Sequence, residues 1–536
     1  MSNQTNNRPN ILWISLEDTS PRFGCYDDRL ARTPNIDRLA SEGMRYPLTF
    51  STAGVCAPSR SAILTGMYQT SIGTHHMRTT HTNEYTPELP TPYDAVVPHY
   101  VKAFTEYLRA AGYYCTNNEK TDYQFTPPLT AWDECGKDAH WRHREDGQPF
   151  FSVFNPTLTH ESGMWPENER HALETDPDQV ELPPYLPDTA KSREALARHY
   201  DNIADSDVIV GQILKQLEDD GLAENTIVFL WSDHGEGLPR AKRWPYDAGI
   251  RVPLIVRWPG KLAPGSASDQ LVSLVDLAPT VLTLAGVEVP YHMQGQPFLG
   301  KKVEPREYVF ATRDRYDESY DMVRAVRDKR YKYIRHYYSN QPYLIWIPYR
   351  NRHPIIQEMW RLYLEGNLDE KQKVMFEERP VEELYDTMED PFELTNLARN
   401  PQFEDTLKMM RKALDDWRSH TGDMGEMSEE EMVNKMWPKG DQPQTADPIF
   451  IPINEENYGI EAQKENLSYQ GPMLVHLHCT TQGASIAYTT ESGENARWKL
   501  YTDPIRLFNS ETIIRARASR IGYKHSGESK VRFSKE

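Results

Sequence analysis

This 536-residue chain has few cysteines, no long apolar run and no surplus of positive charge. No stretch approaches the roughly 18 to 20 consecutive apolar residues that cross a bilayer, which excludes a membrane-spanning protein. Lys and Arg number 60 against 79 Asp and Glu, for a formal net charge of -19. That balance argues against general binding to nucleic acid or to anionic membrane surfaces, and an anionic substrate would need a local basic pocket.

The cysteines are also odd in number, five in all, and show no paired metal-site spacing, so we do not expect a disulfide scaffold. The first eight residues are polar and lead directly into a strand pattern, without the apolar core of a secretory signal. We therefore expect a cytoplasmic protein, or a periplasmic or secreted one if a signal peptide has been removed.

Apolar runs that end in acidic residues stand out in the first half of the chain. Asn10 to Leu16 reads as a buried strand that leads into Glu17-Asp18, and Thr226 to Trp231 leads into Asp233-His234. Alternation of strands with helices predicts an α/β sheet, in which ligands collect at the carboxyl ends of strands. The other predicted elements are strands at Phe150 to Phe154 and Pro253 to Val256 and a long helix at Ser192 to Asp219.

The pattern changes along the second half. Short strands rich in Tyr, Arg and Val follow residue 308, and the stretch from 422 to 471 is acidic and then rich in proline, as in a linker. Short alternating strands after residue 472 predict a small β-sandwich that resembles the C-terminal sandwich of chitobiases, with a structural or glycan-contacting role. We predict four segments: an α/β domain at 8–307, a C-terminal subdomain at 308–421, a linker at 422–471 and the sandwich at 472–536.

One string points to chemistry on a sulfate or phosphate. Cys56-Ala57-Pro58-Ser59-Arg60 opens a predicted helix that stops at Gly66, with Pro58 in the first turn. The free N–H groups of that turn would favour an anion beside Cys56, and Arg60 would add a positive charge. A single cysteine at a helix start is more often a small buried apolar residue, so the neighbouring string matters.

The string Cys-x-Pro-Ser-Arg, continued to Thr65-Gly66, closely resembles the signature of the type I sulfatases. The resemblance implies an alkaline-phosphatase-like α/β sheet between helices, a smaller C-terminal α+β subdomain, and oxidation of Cys56 to formylglycine by a formylglycine-generating enzyme. Residues 383–398 resemble the closing motif of sulfatase chains, and residues 355–417 look most like the branch that contains sulfamidase.

The metal site of this family carries over residue by residue. The resemblance implies one Ca²⁺, held by Glu17, Asp18, Asp233, His234 and the residue formed from Cys56. Carboxylate oxygens from two strand ends suit a hard divalent cation. Glu17 departs from the family pattern, which has Asp there, and His234 leaves room for a different metal.

Further residues match the family's catalytic positions. Lys242 matches a lysine that contacts the sulfate, and Lys120 matches the lysine of a Gly-Lys-x-His stretch. Asp122 stands where that stretch has its histidine, so Asp122 or another group must act as the base. His160 matches the histidine that protonates the leaving group, a role that suits an imidazole near neutral pH. In the implied mechanism the aldehyde hydrate supplies the nucleophile, Arg60 and the two lysines neutralise charge on the sulfuryl oxygens, and His160 or Lys242 delivers the proton.

The substrate and its contacts are less defined. His75 and His76 are alternatives to Asp122 as the base, and Arg240 would serve a neighbouring part of the substrate. Arg313 and Arg315 are predicted either to bind an acidic sugar chain or to form sheet surface. We expect a sulfatase that acts on a sulfated oligosaccharide or polysaccharide with O- or N-linked sulfate. The alternatives are a phosphate or phosphonate monoester hydrolase with the same site, and an inactive glycan-binding homologue.

Overall fold

The structure is a computed structural model that describes residues 8–86, 92–301 and 303–536. Its internal contacts divide the chain into two compact units. The first unit comprises Met1–Arg78, Thr82–Pro87 and Val153–Glu426, and the second comprises Thr79–His81, Glu88–Ser152 and Met427–Glu536.

The central strands of the first unit confirm the strand predictions. Asn10–Leu16 and Thr226–Ser232 pair in parallel over their full length, with Leu16 opposite Ser232, and every residue of both strands is buried. The segments that follow the two strands therefore emerge at one edge of the sheet. Leu254–Arg257, Met44–Arg45 and Ser266–Ala267 extend this sheet in that order. A small second sheet contains Val272–Ser273, Thr49–Phe50 and Arg251–Val252.

The first unit also contains α-helices, which alternate with its strands in the sequence. The predicted helix after Val55 is Cys56–Thr65, and Gly66 ends it in the left-handed conformation with φ of 66°. The predicted long helix is Ala190–Asp219, capped by the Thr189 side chain. The remaining α-helices of this unit are Pro34–Glu42, Gln69–Ile72, Asp247–Ile250, Leu277–Leu284, Pro354–Glu365, Glu370–Lys373 and Glu404–Thr421.

An antiparallel sheet follows the main sheet in the sequence. Its strands are Val309–Arg313, Val323–Arg327, Tyr331–His336 and Glu382–Asp386, in that order. Helix Glu404–Thr421 packs its apolar side chains, among them Leu414 and Trp417, into one core with this sheet. Helix Pro354–Glu365 ends at Gly366, which adopts the left-handed conformation with φ of 70°.

The second unit contains helix Phe104–Ala110, the parallel strands Tyr114–Asn118 and Glu134–Cys135, and the start of strand Phe150–Phe154. Its sandwich has one sheet of Ile449–Ile453, Met473–His478 and Ile505–Leu507. The other sheet runs in the order Leu467–Tyr469, Ser529–Lys535, Glu511–Ser519, Ser485–Thr489 and Lys499–Leu500.

The predicted linker at 422–471 requires correction. It contains helix Glu429–Met436 and two strands of the sandwich, so the sandwich begins near Ile449 rather than at 472. Phe450 is 1% exposed and belongs to the sandwich core. Pro452 is tolerated because its strand lies at the edge of a three-stranded sheet.

Among the described residues, no helix combines the length and the apolar character needed to cross a bilayer. This finding does not identify a compartment, and the cytoplasmic location stays a prediction.

Candidate functional site

Four of the five predicted metal ligands meet at the sheet edge where the two central strands end. His234 Nε2 lies 3.0 Å from Asp18 Oδ1 and 3.3 Å from Cys56 Sγ. The Asp18 N–H donates to Asp233 Oδ1 at 3.3 Å. All four side chains are at most 2% exposed. The parallel register explains the cluster, since it brings both acidic segments to one edge of the sheet.

Cys56 is the first residue of its helix, and the helix holds it rigidly. All ten residues of Cys56–Thr65 are buried. Ser59 Oγ donates to the carbonyl oxygen of Asp233 at 2.6 Å, which ties the first turn to the second strand end. The start of an α-helix favours an anion, because the positive end of the helix dipole lies there.

Arg60 links the carboxylates rather than pointing away from them. Its Nε donates to Asp233 Oδ2 at 3.0 Å, and one terminal nitrogen donates to Glu17 Oε1 at 3.3 Å. The other terminal nitrogen donates to Asn155 Oδ1 at 3.0 Å. Glu17, the fifth predicted ligand, is therefore linked to Asp233 through Arg60.

The donor set fits a divalent cation. His234 Nδ1 lies 2.9 Å from the carbonyl oxygen of Gly235, which assigns the proton to Nδ1 and leaves a lone pair on Nε2. That lone pair faces a carboxylate oxygen of Asp18 at 3.0 Å, an arrangement that needs a cation or a proton between the two acceptors. Without a metal a proton fills this role: although burial opposes it, Asp233 and Asp18 hold the pKa of His234 well above its usual range. Three carboxylates and one imidazole are suitable ligands for such an ion.

Asp18 adopts an unusual backbone conformation at this point, with φ of 44°. Its carboxylate Oδ2 accepts hydrogen bonds from the Glu161 N–H and from Lys242 Nζ, both at 2.6 Å. Non-glycine residues in the left-handed region cost free energy and persist where their surroundings hold them. The strained residue is one of the predicted ligands.

His160 and Lys242, both predicted catalytic residues, are in direct contact. Lys242 Nζ lies 3.2 Å from His160 Nε2, and His160 Nδ1 lies 2.9 Å from Ser162 Oγ. Burial opposes the charge on Lys242, but Asp18 and Glu161 outweigh it and hold the pKa of Lys242 well above its usual range. Lys242 therefore stays protonated at neutral pH and supplies a fixed positive charge beside Cys56.

The sequence analysis missed the charged residues that contact Lys242 and one another beside it. Arg243 donates two hydrogen bonds to the carboxylate of Glu161, at 2.9 and 3.1 Å, and Glu161 Oε1 lies 3.3 Å from Lys242 Nζ. Arg243 Nε also donates to Asp317 Oδ2 at 3.2 Å, and Asp317 pairs with Arg78 at 2.5 Å. The available signal was adjacency, because Glu161 and Arg243 directly follow His160 and Lys242 in the sequence.

Three arginines predicted near the substrate make structural contacts in the interior. Arg240 donates to the carbonyl oxygens of Phe392 and Glu393 at 2.8 and 2.5 Å, so it holds that loop. Arg313 is fully buried, pairs with Asp321 at 2.9 Å and stacks 3.9 Å from the Trp244 ring.

Arg315 is also buried, and it donates to the carbonyl oxygens of Met77 and Asp317 at 3.1 and 2.6 Å. Arg313 and Arg315 are therefore not exposed sheet surface, and their role as sugar subsites stays a prediction.

The other four predicted site residues differ in their surroundings. The rings of His75 and His76 lie 4.3 Å apart, and both residues are buried. His76 Nδ1 accepts a hydrogen bond from the Arg315 N–H at 3.3 Å. Lys120 and Asp122 belong to the second unit, where Lys120 Nζ lies 3.6 Å from Asp122 Oδ2. The catalytic roles of these four residues stay predictions.

Comparison with known proteins identifies the family. The Sulfatase family model matches residues 9–128 and 137–287. A model described as "N-sulphoglucosamine sulphohydrolase, C-terminal" matches residues 235–379.

Curated relatives cover most of the chain. An ulvan-active sulfatase of Formosa agariphila is 43% identical over 97% of this chain and 90% of its own length. Human N-sulphoglucosamine sulphohydrolase is 26% identical over 77% of this chain and 90% of its own length.

Solved structures share the fold. A 2-O glycosaminoglycan sulfatase matches with a TM-score of 0.57 and 20% identity, over 78% of this chain and 93% of its own. A phosphonate monoester hydrolase from Silicibacter pomeroyi matches with a TM-score of 0.56 and 18% identity, over 78% of this chain and 96% of its own. These neighbours have the alkaline-phosphatase-like fold, as predicted. Because the family model covers half of the chain and a relative at 43% identity covers nearly all of it, the chain belongs to the sulfatase family, whose members are sulfuric ester hydrolases.

Proposed function

We propose that this protein removes sulfate from a sulfated oligosaccharide or polysaccharide, with Cys56 converted to formylglycine and one Ca²⁺ in the carboxylate cluster. The names of the relatives support a carbohydrate substrate, since they include an ulvan-active sulfatase and an N-sulphoglucosamine sulphohydrolase. Conversion would require a formylglycine-generating enzyme, and the modified residue supplies an oxygen nucleophile at position 56.

One observation carries the proposal. Cys56 stands at the N-terminus of a buried helix, with its Sγ 3.3 Å from His234 Nε2. The Sγ, one carboxylate oxygen of Asp18 and one ring nitrogen of His160 all lie within 4.8 Å of one another. The nucleophile position, the metal ligands and the proposed acid therefore share one site, as sulfate transfer requires.

The proposed ligands are Glu17, Asp18, Asp233, His234 and residue 56. A bound Ca²⁺ would polarise the sulfuryl oxygens and lower the pKa of the attacking hydroxyl. Arg60 orients two of the carboxylates through the hydrogen bonds to Asp233 and Glu17. Its charge also offsets their mutual repulsion, so it prepares the ligand set rather than acting on the substrate alone.

The transferred sulfuryl group needs compensation for the negative charge on its oxygens. Lys242 provides a buried ammonium group that stays charged, and Lys120 is proposed as a second cation. His160 contacts Lys242 at 3.2 Å, so the proton for the leaving oxygen or nitrogen is held by this pair. Asp122, His75 and His76 stay candidates for the base that completes turnover.

The test begins with protein whose conversion at residue 56 has been established by the intact mass of the peptide that contains it. Turnover of 4-nitrophenyl sulfate is compared with turnover of 4-nitrophenyl phosphate, and then O- and N-sulfated oligosaccharides are screened. We expect sulfate to be preferred and at least one sulfated sugar to be turned over. Preference for the phosphate ester would instead indicate the phosphate or phosphonate hydrolase, whose fold this chain shares.

Two further arms test the site. Cys56→Ala should abolish turnover, whereas Cys25→Ala, which removes a partly buried cysteine outside the cluster, should retain it. Exhaustive chelation should also abolish turnover, and Ca²⁺ should restore it better than Mg²⁺, because Ca²⁺ accepts irregular oxygen-rich coordination. An unmodified Cys56 with full binding of a glycan and no turnover would indicate the inactive glycan-binding homologue.

A further inference from the structure

The outer face of the five-stranded sheet of the sandwich is basic. Strand Glu511–Ser519 presents Arg515 and Arg517 on this face, alternating with fully buried apolar residues. Strand Ser529–Lys535 presents Lys530 and Arg532 in the same way. The two strands are neighbours, so the four cationic side chains share one surface.

The segment that carries most of this surface contrasts with the charge of the whole chain. Residues 497–536 contain ten Lys and Arg against four Asp and Glu, a local surplus of six positive charges in a chain with a formal net charge of -19. Net negative charge keeps most of the protein away from polyanions. The surplus is therefore a regional feature that the overall composition hides.

The arrangement is also costly for folding. Arg515 lies directly opposite Lys530 in the antiparallel register, and like charges at such positions are destabilising. Glu528 offsets part of this cost, because it accepts two hydrogen bonds from Arg515, at 2.7 and 2.9 Å, and one from Arg517 at 3.0 Å. Arg517 is still 46% exposed, and Lys530 is also exposed. Glu511 offsets a further part, because it lies 3.4 Å from Arg532, and the four cations with these two acids leave a surplus of two positive charges.

An aromatic side chain lies within the basic surface. The guanidinium groups of Arg515 and Arg517 lie 5.3 and 5.2 Å from the ring of Trp498, which is partly exposed. Stacking on the ring holds the Arg517 guanidinium in place, and a planar guanidinium binds sulfate or carboxylate oxygens in a bidentate manner. Sugar rings pack on aromatic faces through their apolar sides.

We propose that this face binds a segment of sulfated polysaccharide and anchors the polymer that the enzyme desulfates. The identity of the polymer rests on the function proposed above, whereas the binding surface rests on the sandwich itself. Alternate residues on a strand are about 7 Å apart and neighbouring strands about 5 Å apart, so a linear polyanion contacts several cations at once. The surface belongs to the second unit, and Cys56 and the proposed metal ligands belong to the first.

The test reverses two exposed charges, Lys530→Glu with Arg532→Glu, in full-length protein that also carries Cys56→Ala, so that the polymer stays intact during the measurement. The matched control is Lys439→Glu with Arg506→Glu, which changes the net charge equally. Arg506 is exposed on the other sheet of the sandwich, and Lys439 is exposed in the loop that follows helix Glu429–Met436. Affinity for dextran sulfate, for unsulfated dextran and for a DNA duplex is measured at one salt concentration.

We expect the Lys530 and Arg532 reversal to weaken dextran sulfate binding at least about tenfold, and the control reversal about twofold or less. Unsulfated dextran should bind weakly to every variant. Equal losses in the two reversals, or DNA binding as tight as that of dextran sulfate, would overturn the proposal. In protein that retains Cys56, the Lys530 and Arg532 reversal should leave turnover of 4-nitrophenyl sulfate within about twofold. Absence of that turnover in every variant would contradict the proposed function and leave the binding result intact.

Discussion

Lys242 offers the sharpest test of how a buried charge contributes to this site, and Lys242→Met is the perturbation. Lys242 is 3% exposed, and its ammonium group contacts Asp18 at 2.6 Å, His160 at 3.2 Å and Glu161 at 3.3 Å. Methionine has a similar length and no charge. The substitution therefore removes the charge and its hydrogen bonds while it fills much of the same space.

We expect Lys242→Met to lose both folding stability and kcat. Breaking a buried ion pair by removing one partner costs about 3–5 kcal/mol of stability, because a carboxylate is left buried with less compensation. Here Asp18 keeps the Glu161 N–H, and Glu161 keeps its two bonds to Arg243, so the lower part of that range applies. Loss of one preorganised donor to the sulfuryl group lowers kcat by about 10²–10³.

The chain offers a matched control in Lys332→Met. Lys332 is fully buried, pairs with Asp247, and contacts Glu393 at 2.9 Å and the carbonyl oxygen of Pro245 at 3.0 Å. Its loss should cost similar stability, since Asp247 keeps Arg327 as a partner at 3.0 Å. It should leave kcat within about threefold, because Lys332 is no part of the proposed catalytic cluster.

Both variants are assayed with 4-nitrophenyl sulfate, after circular dichroism and urea unfolding have measured the folded fraction. Because Asp18 and Glu161 keep Lys242 protonated despite its burial, the loss of kcat should be uniform across the neutral pH range. Loss of less than about tenfold in Lys242→Met, equal losses in both variants, or a loss confined to one arm of the pH profile would refute the reasoning.

Two other predictions concern groups around the site. Burial lowers the pKa of His199 to about 4, so between about pH 6.5 and 4 the unfolded chain binds a proton at His199 and the folded chain does not. The free energy of unfolding should therefore fall by about 3 kcal/mol over this range. The variant His199→Phe should show a smaller decline in the urea midpoint. An unchanged slope in the variant would assign the decline to other groups. The Tyr349 ring lies 6.4 Å from His160 and 4.9 Å from the Arg78 guanidinium, so Tyr349→Ala should raise KM for a sulfated oligosaccharide about three- to tenfold and leave KM for 4-nitrophenyl sulfate nearly unchanged. Equal changes for both substrates would place the effect in the catalytic cluster instead.

The sequence predicted the parts of the fold that depend on apolar periodicity. Strands Asn10–Leu16 and Thr226–Ser232 and helix Ala190–Asp219 follow from continuous apolar runs or an amphipathic repeat. The two strands are parallel neighbours, so their carboxyl ends lie at one edge of the sheet. Asp18 and Asp233 follow these ends and therefore meet there. The grouping of Asp18 and Asp233 could therefore be predicted from the sequence.

Ion pairs between residues far apart in the chain could not be predicted from the sequence in this way. Arg313 and Arg315 look like surface charges in the sequence, and yet both are buried. Asp321 neutralises Arg313, and Trp244, which is distant in the sequence, stacks on it. A local pattern cannot indicate such partners, since the burial of an arginine depends on what the fold brings to it.

Proline content misled the prediction of the linker for a related reason. The strand Ile449–Ile453 contains Pro452, and proline removes one N–H from a sheet ladder. That loss matters only where the N–H would meet a neighbouring strand, and an edge strand has a free side. The alternation that places Phe450 in the core was present in the sequence, but the prolines concealed it.

The charge pattern behind Cys56 explains how the site can bury so many ionised groups. Asp18, Lys242, Glu161, Arg243 and Asp317 form a row in which each charge contacts one of opposite sign. Burial alone would lower the pKa of Lys242, whereas the acids on either side of it raise that pKa well above its usual range. Glu161 is one of those acids, and its own charge depends on Arg243. The electrostatic character of the proposed sulfate site is therefore set in part by residues outside the predicted contact set, and sequence motifs centred on contact residues would miss them.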